Sequence, residues 1–243
     1  MLDVSLDMCR DAGVNLIDTA DEYSCGLAVE LVGKAIGGQR DRWLIATKVR
    51  CAMGGGPNDE GLSRHPLIEG CEAWLRRLHT NHIDLHQVHE WHGMTPREET
   101  LAALQALIDS GKVQYVGVSD YAAWQRMKAL WIAERARLPS FVSQQIYRPL
   151  QERSVEYGLV PLAVDQGLGM LVWNPLAGGW LSGKYRRDRA APEGSRRLTG
   201  WDVPPVCDDE RLYDTSTCSP RSPNDTASQP RTWHWPGRRR DRP

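Results

Sequence analysis

Four side chains suited to acid–base chemistry stand at or just beyond the ends of three short apolar runs. In chain order they are Asp18, Tyr23, Lys48 and His89. A buried carboxylate without a partner is costly, because the charge loses its hydration without compensation. The pattern therefore predicts an ion pair between Asp18 and Lys48, with the phenol of Tyr23 and the imidazole of His89 nearby.

Each of these residues also has a purely structural interpretation. The ion pair could serve only to hold two strands together, and Tyr23 could be a half-exposed loop residue. His86 and His92 are alternatives to His89, and we expect both to be surface or lining residues. The functional interpretation therefore depends on the motifs that accompany these four residues.

The composition excludes several classes of protein. The chain has 243 residues, of which 41% are hydrophobic, enough for a real core. A net charge of −1 gives no general attraction to nucleic acid or to an anionic membrane, and no apolar run approaches the length of a transmembrane helix. The six cysteines show neither a C-x-x-C motif nor metal-ligand spacing, which predicts reduced thiols in a cytoplasmic protein.

Short apolar runs alternate with amphipathic helical patterns along most of the chain. Strands are predicted at 14–18, 43–49, 83–89, 113–119, 141–146 and 170–176, and the last two predicted helices are 122–137 and 153–165. This alternation is typical of right-handed βαβ units in a parallel sheet. Polar residues at the strand ends favour a (β/α)8 barrel of the TIM type. An open doubly wound sheet is the alternative, but no G-x-G-x-x-G follows the first strand.

Five motifs at these strand ends resemble those of the aldo-keto reductase superfamily, in its bacterial and potassium-channel-β-related branch. The motifs are DTA with a tyrosine at 18–23, ATK at 46–48, DLHQVH at 84–89, GKVQYVGVS at 111–119, and WNPL at 173–176. They stand in the family's order over residues 3–214. A single such motif is weak evidence, whereas five in register are specific.

The resemblance implies NADPH-dependent reduction of a small aldehyde or ketone to an alcohol, without a metal. Tyr23 would be the general acid that protonates the carbonyl oxygen. A phenol holds its proton at neutral pH, and a neighbouring ammonium such as that of Lys48 would favour its release. Asp18 would hold Lys48 in place, and neutral His89 would donate a hydrogen bond that orients the carbonyl.

The resemblance also assigns residues to the cofactor. Ser119 and Gln145 match positions that bind the nicotinamide carboxamide. Asp120 stands where the family usually has asparagine, and its carboxylate can accept a hydrogen bond but cannot donate one.

The last motif would supply the remaining cofactor contacts. Trp173 matches the aromatic residue that stacks on the nicotinamide ring, although it could equally be a core residue, as we expect Trp74 and Trp131 to be. The segment along the pyrophosphate would begin with Asn174, Pro175 and Leu176.

Both ends of the chain depart from the family pattern. We expect an incomplete barrel of about six strands at 1–214, truncated so that the first and last strands are missing, and an unrelated, disordered tail rich in Pro, Ser and Arg at 215–243. The alternative function is therefore a catalytically impaired remnant or a cofactor-binding regulatory module of the same family. The sequence leaves the substrate and the oligomeric state open.

Overall fold

A computed structural model describes residues 2–56, 58–199 and 209–218 of the chain. It divides into two compact units, with the boundary between Pro175 and Leu176. The sequence had predicted one structured unit up to residue 214, so the observed division is earlier. In the described ranges, no helix combines the length and the apolar character needed to cross a membrane.

The first unit is built on six parallel strands that curl into a half-barrel. The strands are β1 (Leu16–Asp18), β2 (Leu44–Val49), β3 (Ile83–Val88), β4 (Val113–Ser119), β5 (Ser143–Tyr147) and β6 (Gly169–Trp173). Each strand pairs with the next one in the chain, in the order β1-β2-β3-β4-β5-β6. An open doubly wound sheet would reverse this order at a switch point. The fold is therefore α/β and corresponds to part of a (β/α)8 barrel, as predicted.

Helices precede or follow the strands in regular alternation. They are α1 (Leu2–Asp11), α2 (Leu27–Ala35), α3 (Arg64–Leu78), α4 (Arg97–Asp109), α5 (Ala123–Ala136) and α6 (Leu159–Gln166). On α3 the buried residues include Leu67, Cys71, Trp74 and Leu78, a spacing of three or four that places them on one face. They join strand residues such as Ile45 and Val88 in a single apolar core.

Several predicted details of the first unit are wrong. The last strand ends at Trp173 rather than at 176, because Asn174 turns the chain with a φ of 53°. The helix predicted at 153–165 begins only at Leu159 and follows a short 3-10 turn. Trp74 is a core residue as expected, but Trp131 is half exposed and contacts Arg135 on the surface of α5.

Among its described residues, the second unit contains two 3-10 turns, at Ala177–Ser182 and Arg196–Thr199, and the helix α7 (Asp209–Cys218). Its small apolar cluster consists of Ala177, Trp180, Tyr185, Leu212 and Tyr213. The predicted tail was to begin at 215, but that position lies inside α7. The remainder of the predicted tail, 219–243, lies outside the described residues.

Candidate active site

The strand register places the predicted site residues on one face of the sheet, at the ends of the strands. Directly paired residues on adjacent strands share a face, and side chains along one strand alternate between faces. The relevant pairs are Asp18 with Ala46, Lys48 with Gln87, Gln87 with Gly117, Ser119 with Gln145, and Tyr147 with Trp173. The inner face of the half-barrel therefore carries Asp18 and Lys48 at one side and Ser119, Gln145 and Trp173 at the other.

The predicted ion pair lies at the centre of the first group. Lys48 is fully buried, and its Nζ is 2.6 Å from Asp18 Oδ2. The same nitrogen donates to the carbonyl oxygen of Thr19 at 3.2 Å and to the hydroxyl of Tyr23 at 3.3 Å. An ammonium has three hydrogens to donate, so every one of them has an acceptor. The second oxygen of Asp18 accepts from Gln87 Nε2 at 3.1 Å.

Tyr23 connects this buried charge with solvent. Its side chain is 40% exposed, while the ammonium of Lys48 lies 5.1 Å from the centre of its ring. The tyrosine begins a 3-10 turn in which Ser24 and Cys25 both have a φ of 52°. Because its hydroxyl oxygen accepts from Lys48, the phenolic proton is directed away from the lysine and is available to another group.

His89 lies beside Tyr23 and completes the predicted group of four. Its backbone N–H bonds the carbonyl of Val49 at 3.0 Å, and its ring meets that of Tyr23 edge-on at 6.3 Å between centroids. Burial lowers the pKa of His89; Glu22 opposes this effect and Lys48 adds to it. The imidazole is therefore neutral at neutral pH, in the form expected of a hydrogen-bond donor to a carbonyl.

His86 and His92, the two histidines considered as alternatives to His89, lie away from this group. His86 was expected at the surface or lining the site, but it is fully buried on the opposite, helix-facing side of β3, where burial lowers its pKa to about 4. His92 lies in the loop after β3, and its Nδ1 is 3.1 Å from Thr95 Oγ1.

Asp120 holds the second group of predicted residues together. One of its oxygens accepts from Ser119 Oγ at 3.0 Å and the other from Trp173 Nε1 at 2.9 Å, and its backbone N–H bonds the carbonyl of Gln145 at 3.2 Å. Burial raises the pKa of Asp120, whereas the hydrogen bonds from Trp173 and Ser119 lower it. When His89 is protonated, its charge attracts the carboxylate of Asp120, which links this group to the first.

This second group has the chemistry that a nicotinamide needs. Ser119 offers a hydroxyl, Gln145 offers a carboxamide that can donate and accept, and Trp173 offers an aromatic surface that packs against Tyr147 at 4.8 Å. The donor set therefore fits the cofactor that the resemblance implies. Asn174 and Pro175 follow directly after β6, whereas Leu176 begins the second unit.

Three residues of the site were missed from the sequence. Gln87 belongs to the motif around His89, and strand alternation alone would have placed it on the face of Lys48. Cys51 and Glu22 lie in loops, and no spacing in the sequence joins them. Cys51 Sγ is 3.7 Å from His89 Nδ1, and Glu22 Oε1 is 3.6 Å from His89 Nε2. Burial raises the pKa of Cys51 to about 12, so its thiol keeps its proton.

Comparison with known proteins gives a consistent result. The sequence pattern of the Aldo/keto reductase family matches residues 3–213. The chain is 40% identical over 195 residues to a probable voltage-gated potassium channel subunit beta of Arabidopsis thaliana, covering 79% of this chain and 59% of that protein. It is 38% identical over 203 residues to the uncharacterized oxidoreductase YrpG of Bacillus subtilis, covering 79% and 62%.

A fungal relative has a more specific name. Versiconal hemiacetal acetate reductase of Aspergillus parasiticus is 36% identical over 197 residues, which cover 73% of this chain and 57% of that enzyme. The chain thus spans about three fifths of the length of the curated relatives it matches. The family pattern covers most of the chain and includes all the strands described above, and on this evidence the chain belongs to the aldo/keto reductase family.

Proposed function

We propose that this chain reduces an aldehyde or a ketone to the corresponding alcohol with NADPH. The observation that carries the proposal is the hydrogen bond from the buried ammonium of Lys48 to the hydroxyl of Tyr23. A structural ion pair between Lys48 and Asp18 needs no exposed phenol beside it. The arrangement instead couples a fixed positive charge to a proton that faces solvent.

Tyr23 supplies the proton. In the reaction its phenolic proton passes to the carbonyl oxygen, and the phenolate that remains is stabilised by the ammonium of Lys48 before it regains a proton from solvent. Asp18 accepts a hydrogen bond from that ammonium through one oxygen and from Gln87 through the other. Gln87 thus fixes the carboxylate that keeps the ammonium in place. When bound, NADPH supplies the hydride that is added to the carbonyl carbon.

His89 positions the substrate in this proposal. Its neutral imidazole lies beside the ring of Tyr23, so a carbonyl oxygen placed against the phenol can also accept from the imidazole. Two donors aimed at one oxygen fix its position and stabilise the charge that develops there. Ser119, Gln145 and Trp173 would hold the nicotinamide end of NADPH on the same inner face.

A second candidate function rests on the relatives. The plant protein is named a probable channel subunit beta, which favours a cofactor-binding regulatory module as the alternative. Both candidates use the residues around Asp120. Only the reductase requires that Tyr23 give up its proton.

The test is NADPH oxidation by the purified chain with a reactive aldehyde such as 4-nitrobenzaldehyde. The Tyr23→Phe variant keeps the ring but has no proton to give, and we expect kcat/KM to fall by at least about 100-fold. Tyr157→Phe is the matched control, because Tyr157 is 91% exposed, and its rate should equal that of the unmodified chain.

Two results would contradict the reductase. An equal rate in the Tyr23→Phe variant would show that another group donates the proton. Tight NADPH binding by fluorescence without any turnover would favour the regulatory module instead.

A further inference from the structure

Glu22, Cys51 and His89 form a cluster of three potential metal ligands beside Tyr23. One ligand atom from each residue lies within 4.8 Å of the other two. In a tetrahedral zinc site a sulfur and a nitrogen ligand are about 3.5 Å apart, as follows from the usual Zn–S and Zn–N bond lengths. The observed distance of 3.7 Å between Cys51 Sγ and His89 Nδ1 is close to that value.

The surrounding backbone holds two of these ligands in position. Cys51 and His89 each lie next to one partner of a salt bridge, in which Arg50 Nη1 is 2.6 Å from Glu90 Oε1. The bond from the His89 N–H to the Val49 carbonyl ties the same two chain segments together. The cysteine and the histidine therefore approach each other just beyond the ends of β2 and β3.

The third ligand is more adjustable. The side chain of Glu22 is nearly half exposed, and its backbone N–H bonds Asp21 Oδ1 at 2.8 Å. Asp21 is itself buried, and its N–H bonds the carbonyl of Lys48 at 3.4 Å, so the backbone is anchored while the carboxylate can rotate. Oε1 of Glu22 lies nearest to Nε2 of His89, at 3.6 Å, so the carboxylate must rotate toward Nδ1 to share an ion with Cys51.

We propose that Glu22, Cys51 and His89 bind Zn²⁺ and that the bound ion shuts the candidate active site. A thiolate, an imidazole and a carboxylate are the ligand types that Zn²⁺ takes in proteins. The ion displaces the thiol proton of Cys51 to solvent, as coordination does to a thiol, and no electron is transferred. Three protein ligands leave one position for water.

Inhibition follows from the position of the ion. A zinc ion on Nδ1 of His89 leaves Nε2 its hydrogen, but the dication and its bound water occupy space beside the ring of Tyr23, where the substrate carbonyl would have to lie. This inhibitory part rests on the proposed function. The zinc site itself does not, because it is defined by the ligand geometry alone.

Binding is measured first, without reference to activity. The unmodified chain is titrated with Zn²⁺ by calorimetry, and Co²⁺ is then substituted to look for thiolate-to-cobalt charge-transfer absorption. We expect saturable zinc binding and that absorption in the unmodified chain. Cys51→Ala should lose the absorption and weaken zinc binding by about 100-fold or more, because it removes a direct ligand.

The matched control is Cys25→Ala, which removes an exposed thiol from the same loop as Glu22. It should bind both metals like the unmodified chain. Glu22→Gln, at an exposed position where folding is not at risk, should weaken zinc binding as well. Equal zinc affinity in Cys51→Ala and the unmodified chain, or no saturable binding at all, would overturn the proposal.

Activity is measured last on the same samples. Zinc should abolish NADPH oxidation by the unmodified chain, a chelator should restore it, and Cys51→Ala should resist the same zinc concentration. Zinc binding through Cys51 in a chain with no turnover even after chelation would support the site and would count only against the reductase function. Full turnover with zinc bound at Cys51 would overturn the inhibitory role.

Discussion

On the inner face of the half-barrel Lys48 is fully buried and each hydrogen of its ammonium has an acceptor. On the helix-facing side of the neighbouring strand, His86 is just as buried, but neither of its ring nitrogens has a hydrogen-bond partner in the described ranges. Thr47, which pairs with His86 in the sheet, also has an unpartnered hydroxyl there. The same two strands therefore present a fully hydrogen-bonded ammonium on one face, beside Gln87, whose Oε1 has no partner in the described ranges. On the other face they present two groups, of His86 and Thr47, that have no partner there.

The contrast between Lys48 and His86 is one between a polar group held in place for chemistry and a polar group that only lowers stability. A buried charge with all its partners is organised, because each hydrogen bond restricts where it can lie. A buried polar group without partners lowers the free energy of unfolding and holds no other group in place. The comparison predicts that changes on the inner face reduce activity, whereas changes on the helix-facing side alter stability.

The largest effect should come from Lys48→Met, which removes the fully hydrogen-bonded ammonium from the inner face. Asp18 would be left as a partly buried carboxylate without its counterion, and removing one partner of a buried pair costs about 3–5 kcal/mol of unfolding free energy. Tyr23 would also lose its ammonium, so kcat/KM should fall by about 1,000-fold. Urea denaturation and NADPH oxidation measure the two effects.

The control for this variant is Lys34→Met. Lys34 is exposed on α2, and its replacement should leave both quantities within the range of ordinary surface changes, about 0.5 kcal/mol. A Lys48→Met protein with unchanged activity would mean that the inner-face ion pair is only structural.

The sequence was sufficient for the ion pair of Asp18 and Lys48 and insufficient for His86 on the other face. Asp18 and Lys48 end apolar runs, and a charge in that position needs a partner, so their pairing could be predicted. His86 lies one residue before Gln87 in the same motif, and only strand alternation decides which of them faces the site. The unpaired state of His86 depends on how the helices pack against the sheet, which no local pattern encodes.

Loops limited the prediction in a similar way. Cys51 and Glu22 approach His89 only because β1, β2 and β3 are adjacent and their loops turn over the same edge. The end of β6 at Trp173 depends on the positive φ of Asn174, and the apolar pattern of the sequence continues through that turn. These features are properties of tertiary structure rather than of local residue spacing.

The second prediction concerns pH and the helix-facing side. The pKa of His86 is about 4 in the folded chain and about 6.5 when unfolded. Between these values the unfolded chain binds the proton and the folded chain does not, so His86 lowers stability as pH falls from 6.5 to 4. The loss reaches about 3 kcal/mol, at about 1.4 kcal/mol per pKa unit.

A second buried group acts in the opposite direction. Burial raises the pKa of Asp21 to about 7, so the folded chain binds that proton first and gains stability as pH falls through 7 toward the unfolded value near 4. The diagnostic quantity is therefore the difference in free energy of unfolding between the unmodified chain and His86→Leu, measured by urea denaturation from pH 7.5 to 5. This difference should increase as pH falls.

His65→Leu provides the control, because His65 is exposed. Its stability should follow that of the unmodified chain across the same pH range. A constant gap between His86→Leu and the unmodified chain would show that His86 has the same pKa folded and unfolded.

The smallest effect should come from Arg126 on α5. Removing this polar group should raise the free energy of unfolding, whereas removing Lys48 should lower it. Arg126 is fully buried, and none of its guanidinium nitrogens has a hydrogen-bond partner among the residues the structure describes. Burial lowers its pKa to about 9, against a raising effect from Tyr121 and Asp120. Replacing a buried unsatisfied charge with an apolar chain of similar length removes its desolvation cost.

Arg126→Met should therefore raise the unfolding free energy by about 2 kcal/mol, since a buried donor without an acceptor costs about 1–3 kcal/mol. Lys128→Met, two residues along the same helix and exposed, should change it by less than about 0.5 kcal/mol. NADPH oxidation by Lys128→Met should equal that of the unmodified chain, whereas Arg126→Met removes a charge that interacts with Asp120, so only its stability tests this prediction. A destabilised Arg126→Met protein would mean that the attraction of the guanidinium to Tyr121 and Asp120 outweighs its desolvation cost.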